Sequence, residues 1–425
     1  MFKKVLLLFT IFILIFCFGL NTIVHAENTN LEVYAPSAIL MDLNTGKILY
    51  EKNAYEKMYP ASLTKVLTAI VVLEKCNLEE ICTVSYDAVM SVDFGYVSAN
   101  LQIGEELTVE QLLNLLMVSS SNDAANVLGE HVSGSLQDFA VLLNEKAKQI
   151  GCKNTHFTNP SGAHDEDHYS TAYDLALIGR YAMQIPKFQE LSKKTYYQLG
   201  TTNKYSSDDR IYTTTNELLV SNNNDRSDNY YYKHATGIKT GFTTPAGNCL
   251  MASSDKNNLS FITVVLNCGQ TKEGLSARYI DTKSLFNYGY DNYSLKQIAK
   301  NGSVIQTVNI ENAKRENKRL DLVIDNDLYA TVSSNNLNIT ISPEVEITTD
   351  LKAPILKDAI IGKVHYNIDG ITYSANLIAK NNVEKSRTLM HFMIIFLLAV
   401  LIIGLIKFRK NYNKKKRLTK LKNRI

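Results

Sequence analysis

The sequence predicts an α/β (α+β) sandwich with helices on an antiparallel sheet, followed by a small all-β domain and a C-terminal transmembrane helix. Three observations support this fold class. Strand-like runs lie at both ends of residues 27–290 with helical periodicity between them, which suggests one sheet closed by distant segments. Short alternating runs spaced by turn residues fill residues 291–385. An apolar stretch at 389–408 and a basic tail at 409–425 follow.

The first 26 residues predict a signal peptide. Lys3 and Lys4 precede an apolar run from Val5 to Leu20, and Val24-His25-Ala26 supplies a small-residue cleavage site before Glu27. An uncleaved membrane anchor is the alternative, which the short run and the cleavage site disfavour. The mature protein is therefore expected to start near Glu27, outside the cytoplasm.

A hairpin and a buried helix are predicted next. The run after Pro36, SAILMDLNTGKILYEKN, alternates on both sides of Asn44-Thr45-Gly46, which indicates two antiparallel strands. Apolar residues at 63, 66, 67, 70 and 71 then have helical spacing, and Pro60 lies just ahead of them. Ser62 is therefore expected in the first turn of a mostly buried helix.

The remaining elements have two kinds of sequence pattern, mostly helical at first and mostly strand-like later. Helices are predicted at Leu107–Leu116, Ala124–Glu130, Leu136–Ile150, Thr171–Ala182 and Ser276–Tyr288, and strands at Ala235–Thr240, Asn248–Ser253 and Phe261–Leu266. The segment between Tyr196 and Tyr232 is polar and irregular. The all-β module, expected to be a spacer, has predicted strands at Val304–Ile310, Leu320–Ile324, Leu337–Ile341, Val345–Thr349 and Ile360–Ile368.

The apolar stretch near the end of the chain predicts a spanning helix. Phe392–Ile406 contains no charge and no proline, and with its flanks it approaches the roughly 20 residues that a spanning helix needs. An interfacial helix is disfavoured because it would carry charges along a polar face. Ten Lys and Arg residues lie between Lys407 and Arg424 without an acidic residue, so the tail is expected in the cytoplasm.

The charge distribution argues against nucleic acid as a partner. The chain has 45 Lys and Arg and 42 Asp and Glu, but Lys3, Lys4 and the ten tail cations lie at its two ends. The residues between them are therefore net acidic and would repel a polyanion. Anionic lipid beside the membrane helix explains the basic tail more simply.

Six cysteines are present, and Cys17 lies in the predicted signal peptide. The other five are an odd number without metal-site spacing, so they are predicted to be core residues. Pairing of Cys249 with Cys268, or of Cys76 with Cys82, remains open at this point.

Ser62 and Lys65 are the first candidates for chemistry. Residues i and i+3 of a helix share a face with Cβ atoms about 5–6 Å apart, so Lys65 can reach the Ser62 hydroxyl. A serine hydroxyl needs a base, and a lysine acts as one only when burial or a neighbouring cation lowers its pKa. A helix N-cap followed by a surface lysine is the structural alternative.

Two further motifs follow in order. Ser120-Ser121-Asn122 lies at the end of an apolar helix, where such residues are most often caps. Lys239-Thr240-Gly241 lies in a strand, where the glycine allows close approach of a ligand and Lys-Thr offers a cation and a hydroxyl to a carboxylate. The order SxxK, SxN, KTG is that of penicillin-binding proteins and β-lactamases.

With these motifs the sequence resembles the low-molecular-mass penicillin-binding proteins, serine-type D-Ala-D-Ala carboxypeptidases with a serine transpeptidase/β-lactamase-like sandwich. The resemblance covers about residues 36–290 and includes the blocks YPASLTK, SSNDAANVLGEHV, FTNPSGAHDEDHYSTAYDLA and GIKTGFTTPAGNCLMAS. The all-β module is similar to the family's C-terminal domain, notably over Ala353–Gly370, which extends the match to about Val383.

The resemblance implies a role for each motif residue. Ser62 would attack the carbonyl between two D-alanines, and Lys65 would take its proton. Ser120 would help to pass that proton to the departing D-Ala. Of the implied substrate-binding residues, Asn122 would hold the substrate amide and Lys239 would keep Lys65 neutral. Thr240 and Gly241 would lie at the carboxylate site, with Arg278 nearby. The backbone N–H of Phe242 would form the oxyanion hole with that of Ser62. A surface arginine on a helix is the alternative for Arg278.

Two other clusters are not predicted to carry chemistry. His164 and His168 are four residues apart, but Gly162 and nearby acids disfavour a helix, and an HExxH motif is missing. This stretch, which also holds His156, Asp165 and Asp167, resembles a loop of the family, so no metal is predicted. Glu217 suggests the deacylating glutamate of class A β-lactamases, but the rest of that signature is absent and Ser121 stands where those enzymes usually have Asp.

The sequence thus predicts a peptidase that removes the terminal D-alanine from peptidoglycan pentapeptide stems, limits cross-linking of the cell wall and needs no cofactor. β-Lactams are expected as covalent inhibitors. The β module and the spanning helix would hold the site at a set height above the membrane. A transpeptidase or β-lactamase with the same site is the nearest alternative. A non-catalytic wall-binding scaffold is the other, although a scaffold has no need of a buried lysine.

Overall fold

The computed structural model describes residues 31–221, 230–335, 341–386 and 388–422, and the chain divides into two compact units between Tyr293 and Ser294. The predicted fold class, a sandwich of helices on an antiparallel sheet followed by an all-β domain, is confirmed. The predicted signal peptide lies outside the described residues.

The first unit is built on a five-stranded antiparallel sheet that joins its two ends. The strands of this unit are β1 (Ser37–Asp42), β2 (Ile48–Lys52), β3 (Ile81–Thr83), β4 (Glu106–Thr108), β5 (Tyr196–Leu199), β6 (Arg210–Thr213), β7 (Ala235–Thr243), β8 (Gly247–Lys256) and β9 (Leu259–Cys268). The main sheet has the order β2-β1-β9-β8-β7, and β1 pairs with β9 from Ser37 opposite Leu266 to Asp42 opposite Phe261. Distant segments therefore close the sheet, as the sequence predicts.

Helices cover this sheet and bury its apolar face. They are α1 (Thr64–Lys75), α2 (Tyr86–Met90), α3 (Val109–Asn114), α4 (Asn122–Ser133), α5 (Leu136–Ile150), α6 (Ala172–Ala182), α7 (Pro186–Ser192) and α8 (Ala277–Asn292). Helix α1 is buried from Thr64 to Val72, and its Leu67 and Ile70 share one core with Met251 and Ile262 of the sheet. A helix enclosed in this way holds the groups at its N-terminal end in fixed positions.

Helix α5 has the bounds that the sequence predicts because both of its ends carry strong local signals. The Ser135 hydroxyl accepts a hydrogen bond from the backbone N–H of Asp138, which caps the N-terminus. Gly151 ends the helix at a φ of 107°, in the left-handed region that favours glycine.

The polar segment after Tyr196 contains more regular structure than its sequence indicates. Strands β5 and β6 pair with Tyr196 opposite Thr213, and a 3-10 turn covers Glu217–Leu219. The guanidinium of Arg210 lies 2.8 Å from the fully buried carboxylate of Glu105, which ties the hairpin to the loop before β4. Because tyrosine, glutamine, arginine and threonine fill most positions of these strands, the period-two pattern of apolar residues is weak in the sequence.

The second unit is an antiparallel β domain with a core of its own. Its strands are β10 (Tyr293–Ala299), β11 (Val304–Asn309), β12 (Arg319–Ile324), β13 (Leu328–Ser333), β14 (Glu344–Ile347), β15 (Ile360–Ile368) and β16 (Ile371–Ala379). Five of them form a sheet in the order β11-β12-β16-β15-β14, and β10 pairs with β13. The predicted strand Leu337–Ile341 falls, except for Ile341, outside the described residues.

A long helix, α9 (Thr388–Lys422), ends the described chain. Its segment Phe392–Leu418 is the one helix among the described residues that is long and apolar enough to cross a membrane, judged by length and composition. The helix continues past the predicted span 389–408 because lysine, arginine and leucine, which fill the tail, are good helix formers.

The five cysteines of the described residues, Cys76, Cys82, Cys152, Cys249 and Cys268, are free thiols. Cys82, Cys249 and Cys268 are buried, as predicted for core residues, whereas Cys76 and Cys152 are partly exposed.

Candidate active site

Ser62 lies at the N-terminal end of α1, but not in its first α-helical turn. Residues Ala61–Leu63 form a 3-10 turn, and the α-helix begins at Thr64. Ala61 has a φ of 48°, so the backbone turns sharply just before the serine. A Cβ atom at Gly162 would lie 1.9 Å from the Ala61 carbonyl oxygen, so only glycine fits beneath this turn. The turn leaves Ser62 partly exposed while its neighbours are buried.

The side chain of Lys65 contacts three oxygen atoms. Its Nζ atom lies 2.9 Å from Ser62 Oγ, 2.6 Å from Asn122 Oδ1 and 2.6 Å from the Ser161 carbonyl oxygen. The structure thus brings Asn122, which is 57 residues from Lys65 in the sequence, into contact with the Ser62–Lys65 pair. The Ser161 carbonyl is a partner that sequence reasoning missed, because any residue type supplies a carbonyl oxygen.

Burial controls the protonation of Lys65. The side chain is fully buried, and desolvation lowers its pKa well below the ordinary value of a lysine. The nearby Lys239 lowers this pKa further, whereas Asp123 acts weakly in the opposite direction. An amine in this position is therefore suited to accept a proton at neutral pH.

Ser120 follows a distorted end of the helix that precedes α4. Residues Leu115–Ser119 form a π-helical turn, and Ser120 has a left-handed backbone with a φ of 66°. Strained positions of this kind are frequent at functional sites. The backbone N–H of Asn122 donates to the Val97 carbonyl oxygen, so the start of α4 is joined to the loop before β4.

The third motif lies on β7, next to the turn that carries Ser62. A Cβ atom at Gly241 would lie 3.0 Å from the Pro60 carbonyl oxygen and 3.2 Å from the Ser62 nitrogen, which explains why glycine stands there. The Thr240 hydroxyl lies 2.5 Å from that of Thr215. Thr215 belongs to the polar segment after Tyr196 and is a second residue that the sequence did not single out.

Lys239 is buried beside this strand, and its Nζ donates to the Thr240 carbonyl oxygen at 3.1 Å. Burial lowers the pKa of Lys239 to about 7, and the positive charge of Arg278 contributes to that change. Arg278 itself stacks on the Tyr279 ring at 4.7 Å, and its Nε atom has no hydrogen-bond partner among the described residues. A partly exposed guanidinium at the wall of a cavity is suited to an anionic group.

A cavity of about 570 Å³ unites these motifs. Two residues that the sequence assigns to the site, Lys65 and Lys239, are buried below the cavity surface. The other assigned residues line the cavity: Ser62, Ser120, Asn122, Thr240, Gly241, Phe242 and Arg278. The remaining wall residues were not predicted and are Phe94, Gly95, Tyr96, Val97, His164, Thr215, Thr243, Thr244 and Pro245. The wall is therefore largely neutral, with one cation at Arg278.

The histidines after His156 have separate positions. His164 lines the cavity, with its ring against that of Tyr59, whereas His168 is buried. The backbone N–H of Thr158 donates to His168 Nδ1, so Nε2 carries the proton and donates to the Thr64 hydroxyl at 2.8 Å. Burial lowers the pKa of His168 to about 3, so this ring stays neutral while it fixes the loop that supplies the Ser161 carbonyl.

Comparison with known proteins gives two matching families. Residues 22–270 match the family described as D-alanyl-D-alanine carboxypeptidase, and residues 293–385 match the family described as penicillin-binding protein 5, C-terminal domain. The D-alanyl-D-alanine carboxypeptidase DacF of Bacillus subtilis is 28% identical over 361 residues, which cover 83% of this chain and 86% of that protein.

Two further proteins are similar to this chain over most of its length. The D-alanyl-D-alanine carboxypeptidase DacA of Haemophilus influenzae is 30% identical over 84% of this chain and 86% of its own length. The crystal structure of a peptidoglycan synthesis regulatory factor (PBP3) from Streptococcus pneumoniae has the same fold, with a TM-score of 0.72, 24% identity, and coverage of 83% of this chain and 100% of that one. The chain therefore belongs to the D-alanyl-D-alanine carboxypeptidase family of low-molecular-mass penicillin-binding proteins.

Proposed function

We propose that the chain is a serine-type D-Ala-D-Ala carboxypeptidase that removes the terminal D-alanine from peptidoglycan pentapeptide stems through an acyl-enzyme on Ser62. The observation that carries this proposal is the environment of Lys65. Two of its three oxygen partners, the Asn122 amide oxygen and the Ser161 carbonyl, can only accept hydrogen bonds. A neutral amine donates its two hydrogens to them and keeps its lone pair for the third partner, the Ser62 hydroxyl.

In the first step, Ser62 Oγ attacks the carbonyl carbon between the two D-alanines while Lys65 Nζ accepts the hydroxyl proton. The proton then reaches the nitrogen of the departing D-alanine, with Ser120 as the relay at the cavity wall. Burial and the proximity of Lys239 supply the lowered pKa that Lys65 needs for the first transfer.

Charge in the transition state collects on the former carbonyl oxygen. The backbone N–H groups of Ser62 and Phe242 form the oxyanion hole, and a single donor of this kind is typically worth about 2.7–4 kcal/mol. The absence of a side chain at Gly241 supports this assignment, because a Cβ there would crowd the Ser62 nitrogen.

The terminal carboxylate of the substrate is recognised at the other end of the cavity. Thr240 and Thr215 offer adjacent hydroxyl groups, and Arg278 offers a cation whose Nε is without a partner among the described residues. Asn122 binds the amide of the stem peptide. Water then hydrolyses the ester on Ser62, and the shortened stem limits cross-linking of the wall. A β-lactam, which presents a similar amide and carboxylate, acylates Ser62 in the same way.

The membrane placement is part of the same proposal. Residues 1–26 act as a signal peptide, residues 27–290 and 291–385 stand outside the membrane, and 389–408 span it with the tail 409–425 in the cytoplasm. The apolar helix Phe392–Leu418 and the cluster of cations that follows Ile406 support this arrangement.

The decisive experiment measures free D-alanine released from a pentapeptide. The wild-type chain in detergent is expected to release D-alanine and to be labelled covalently by a fluorescent penicillin, and Ser62→Ala abolishes both. Ser119→Ala, which changes a serine outside the cavity lining, is the matched control and retains both.

Each alternative gives a different result. A transpeptidase joins stems instead of releasing the shortened peptide, a β-lactamase turns over penicillin rapidly, and a scaffold is not labelled. A wild-type chain that binds penicillin but releases no D-alanine contradicts the carboxypeptidase proposal.

A further inference from the structure

Three side chains with metal-binding groups converge at the far ends of two catalytic helices. Cys76 directly follows α1, Glu80 lies in the turn before β3, and His131 lies in the last turn of α4. The cysteine sulfur, a carboxylate oxygen and an imidazole nitrogen all lie within 4.8 Å of one another. His131 Nε2 and Glu80 Oε2 are 3.0 Å apart.

These separations are close to those around a zinc ion. Tetrahedral Zn²⁺ with bond lengths of about 2.0–2.3 Å holds its ligand atoms about 3.4–3.6 Å apart. The ligand atoms, which lie within 4.8 Å of one another, therefore need to approach each other by no more than about 1.4 Å to form three bonds to one ion. All three residues are at least partly exposed, so an ion can enter and a water molecule can take the fourth position.

The surroundings of the cluster favour a cation. Helices α1 and α4 both direct their C-terminal ends toward it, and helix C-termini carry partial negative charge. The backbone N–H and the side-chain amide of Asn77 donate to Glu80 Oε1 at 2.7 and 2.9 Å. These bonds fix the carboxylate and leave Oε2 directed at His131, as outer groups do for ligands of known metal sites.

A second histidine–glutamate pair shows what distinguishes this cluster. His365 Nε2 lies 3.3 Å from Glu346 Oε2 on the β domain, and no cysteine is part of that pair. A surface histidine–carboxylate contact of this kind is common without a metal ion. The thiol of Cys76 adds a soft ligand, and a mixed sulfur, nitrogen and oxygen set suits Zn²⁺ rather than Ca²⁺ or Mg²⁺.

We propose that Cys76, Glu80 and His131 bind one Zn²⁺ ion that links the C-terminal ends of α1 and α4. The opposite ends of these helices carry Lys65 and Asn122, so the ion stabilises the unit that holds the catalytic groups without entering the reaction. Its role is structural.

The test uses the full chain in detergent, purified under reducing conditions through a tag without histidine and stripped with a chelator. Titration calorimetry is expected to give one Zn²⁺ per chain. Cys76→Ser and His131→Gln should each weaken the affinity by more than about 100-fold, since changes to outer groups alone cost about 10- to 100-fold. His365→Gln, the matched control, should leave it unchanged. At about 100 times the wild-type Kd, Zn²⁺ should raise the Tm by roughly 5 °C in the wild type and in His365→Gln, and by much less in Cys76→Ser and His131→Gln.

Co²⁺ supplies an independent readout, because a thiolate ligand gives a sulfur-to-cobalt charge-transfer band that Cys76→Ser removes. Penicillin labelling that persists in Cys76→Ser confirms that this variant is folded. Three results would overturn the proposal: no Zn²⁺ binding by the reduced wild type, binding that survives in the Cys76→Ser/His131→Gln double variant, or a Cys76–Cys82 disulfide in the chain isolated without reductant.

Discussion

The floor and the rim of the cavity are built in opposite ways. On the floor, Lys65 and Lys239 are buried, and Lys65 has three oxygen partners. At the rim, Phe94, Val97 and Phe242 expose half or more of their surface to solvent. The comparison indicates that the protonation of the two lysines on the floor depends on their burial. The side chains at the rim, by contrast, can contact a substrate only when it binds. Changes to the floor should therefore alter the rate of the chemical step, and changes to the rim should alter binding.

The largest effect is expected from Lys65→Met, which removes the proposed base and keeps an unbranched side chain. The rate of Ser62 acylation by a fluorescent penicillin should fall about 10²- to 10⁴-fold, the usual contribution of a positioned acid–base group. Stopped-flow fluorescence measures this rate. Lys75→Met, at the exposed end of the same helix, should leave it unchanged. A folded Lys65→Met chain within tenfold of the wild-type rate would mean that another group takes the proton.

A smaller loss is expected from Arg278→Gln. If this guanidinium binds the substrate carboxylate, kcat/KM for a peptide with a free C-terminus falls roughly 10- to 150-fold, which corresponds to about 1.5–3 kcal/mol for a hydrogen bond to a charged group. The same peptide with an amidated C-terminus should lose far less. Arg315→Gln, on the β domain, is the control. Equal losses for both peptides would place Arg278 outside the carboxylate site.

The Lys239→Met variant tests, through the pH dependence of stability, whether burial keeps the amine of Lys239 neutral. The pKa of Lys239 is lowered to about 7, whereas an unfolded lysine titrates near about 10.4. Between these values the unfolded chain binds a proton that the native chain does not, so stability rises with pH by up to about 1.4 kcal/mol per unit. Below about pH 7 both states are protonated, and the cost of the buried charge is present in full.

The measurement for Lys239 is denaturant unfolding of wild type and variant between pH 7 and pH 10. The wild type should gain stability relative to Lys239→Met across this window, because the variant has no group to titrate there. Lys300→Met, at an exposed position, should instead run parallel to the wild type. Parallel curves for Lys239→Met would show that this amine stays charged in the folded protein.

The smallest effect is expected from Phe94→Ala at the rim. Because the ring is fully exposed, its removal should change the free energy of unfolding by no more than about 0.5 kcal/mol. KM for the pentapeptide should change by less than about threefold, with kcat unaffected, because one exposed contact adds little binding energy. Steady-state kinetics checks both values. A tenfold fall in kcat would move Phe94 from the rim into the catalytic arrangement.

Much of the fold and the site could be predicted because strong local signals coincide with the positions that matter. The three motifs occur in order, and helix α5 carries a serine cap and a terminal glycine, so its bounds were predicted correctly. The sequence places Ser62 inside the first α-helical turn, whereas the α-helix begins at Thr64, because the positive φ of Ala61 depends on Gly162, which is distant in sequence.

The missed parts of the site have no local signal. The Ser161 carbonyl is a backbone atom, and Thr215 lies in a segment whose alternation is carried by polar residues. His168 was considered only as a metal ligand, since its partner Thr64 is brought near by folding alone. The roles of the individual site residues, the signal peptide and the domain limits stay predictions that the experiments above address.

From the pairing of β1 with β9 we expect activity to emerge late in folding. The first strand of the catalytic unit lies between β2 and β9, so the sheet cannot close before the last strand is available. Contacts between such distant segments form slowly, because the intervening chain must first be confined. Ser62 lies between β2 and α1 in the sequence, whereas Lys239 lies on β7, at the outer edge of the same sheet. A chain that ends before Leu259 should therefore have no partial activity, because its nucleophile and its binding strand meet only when the whole unit has formed.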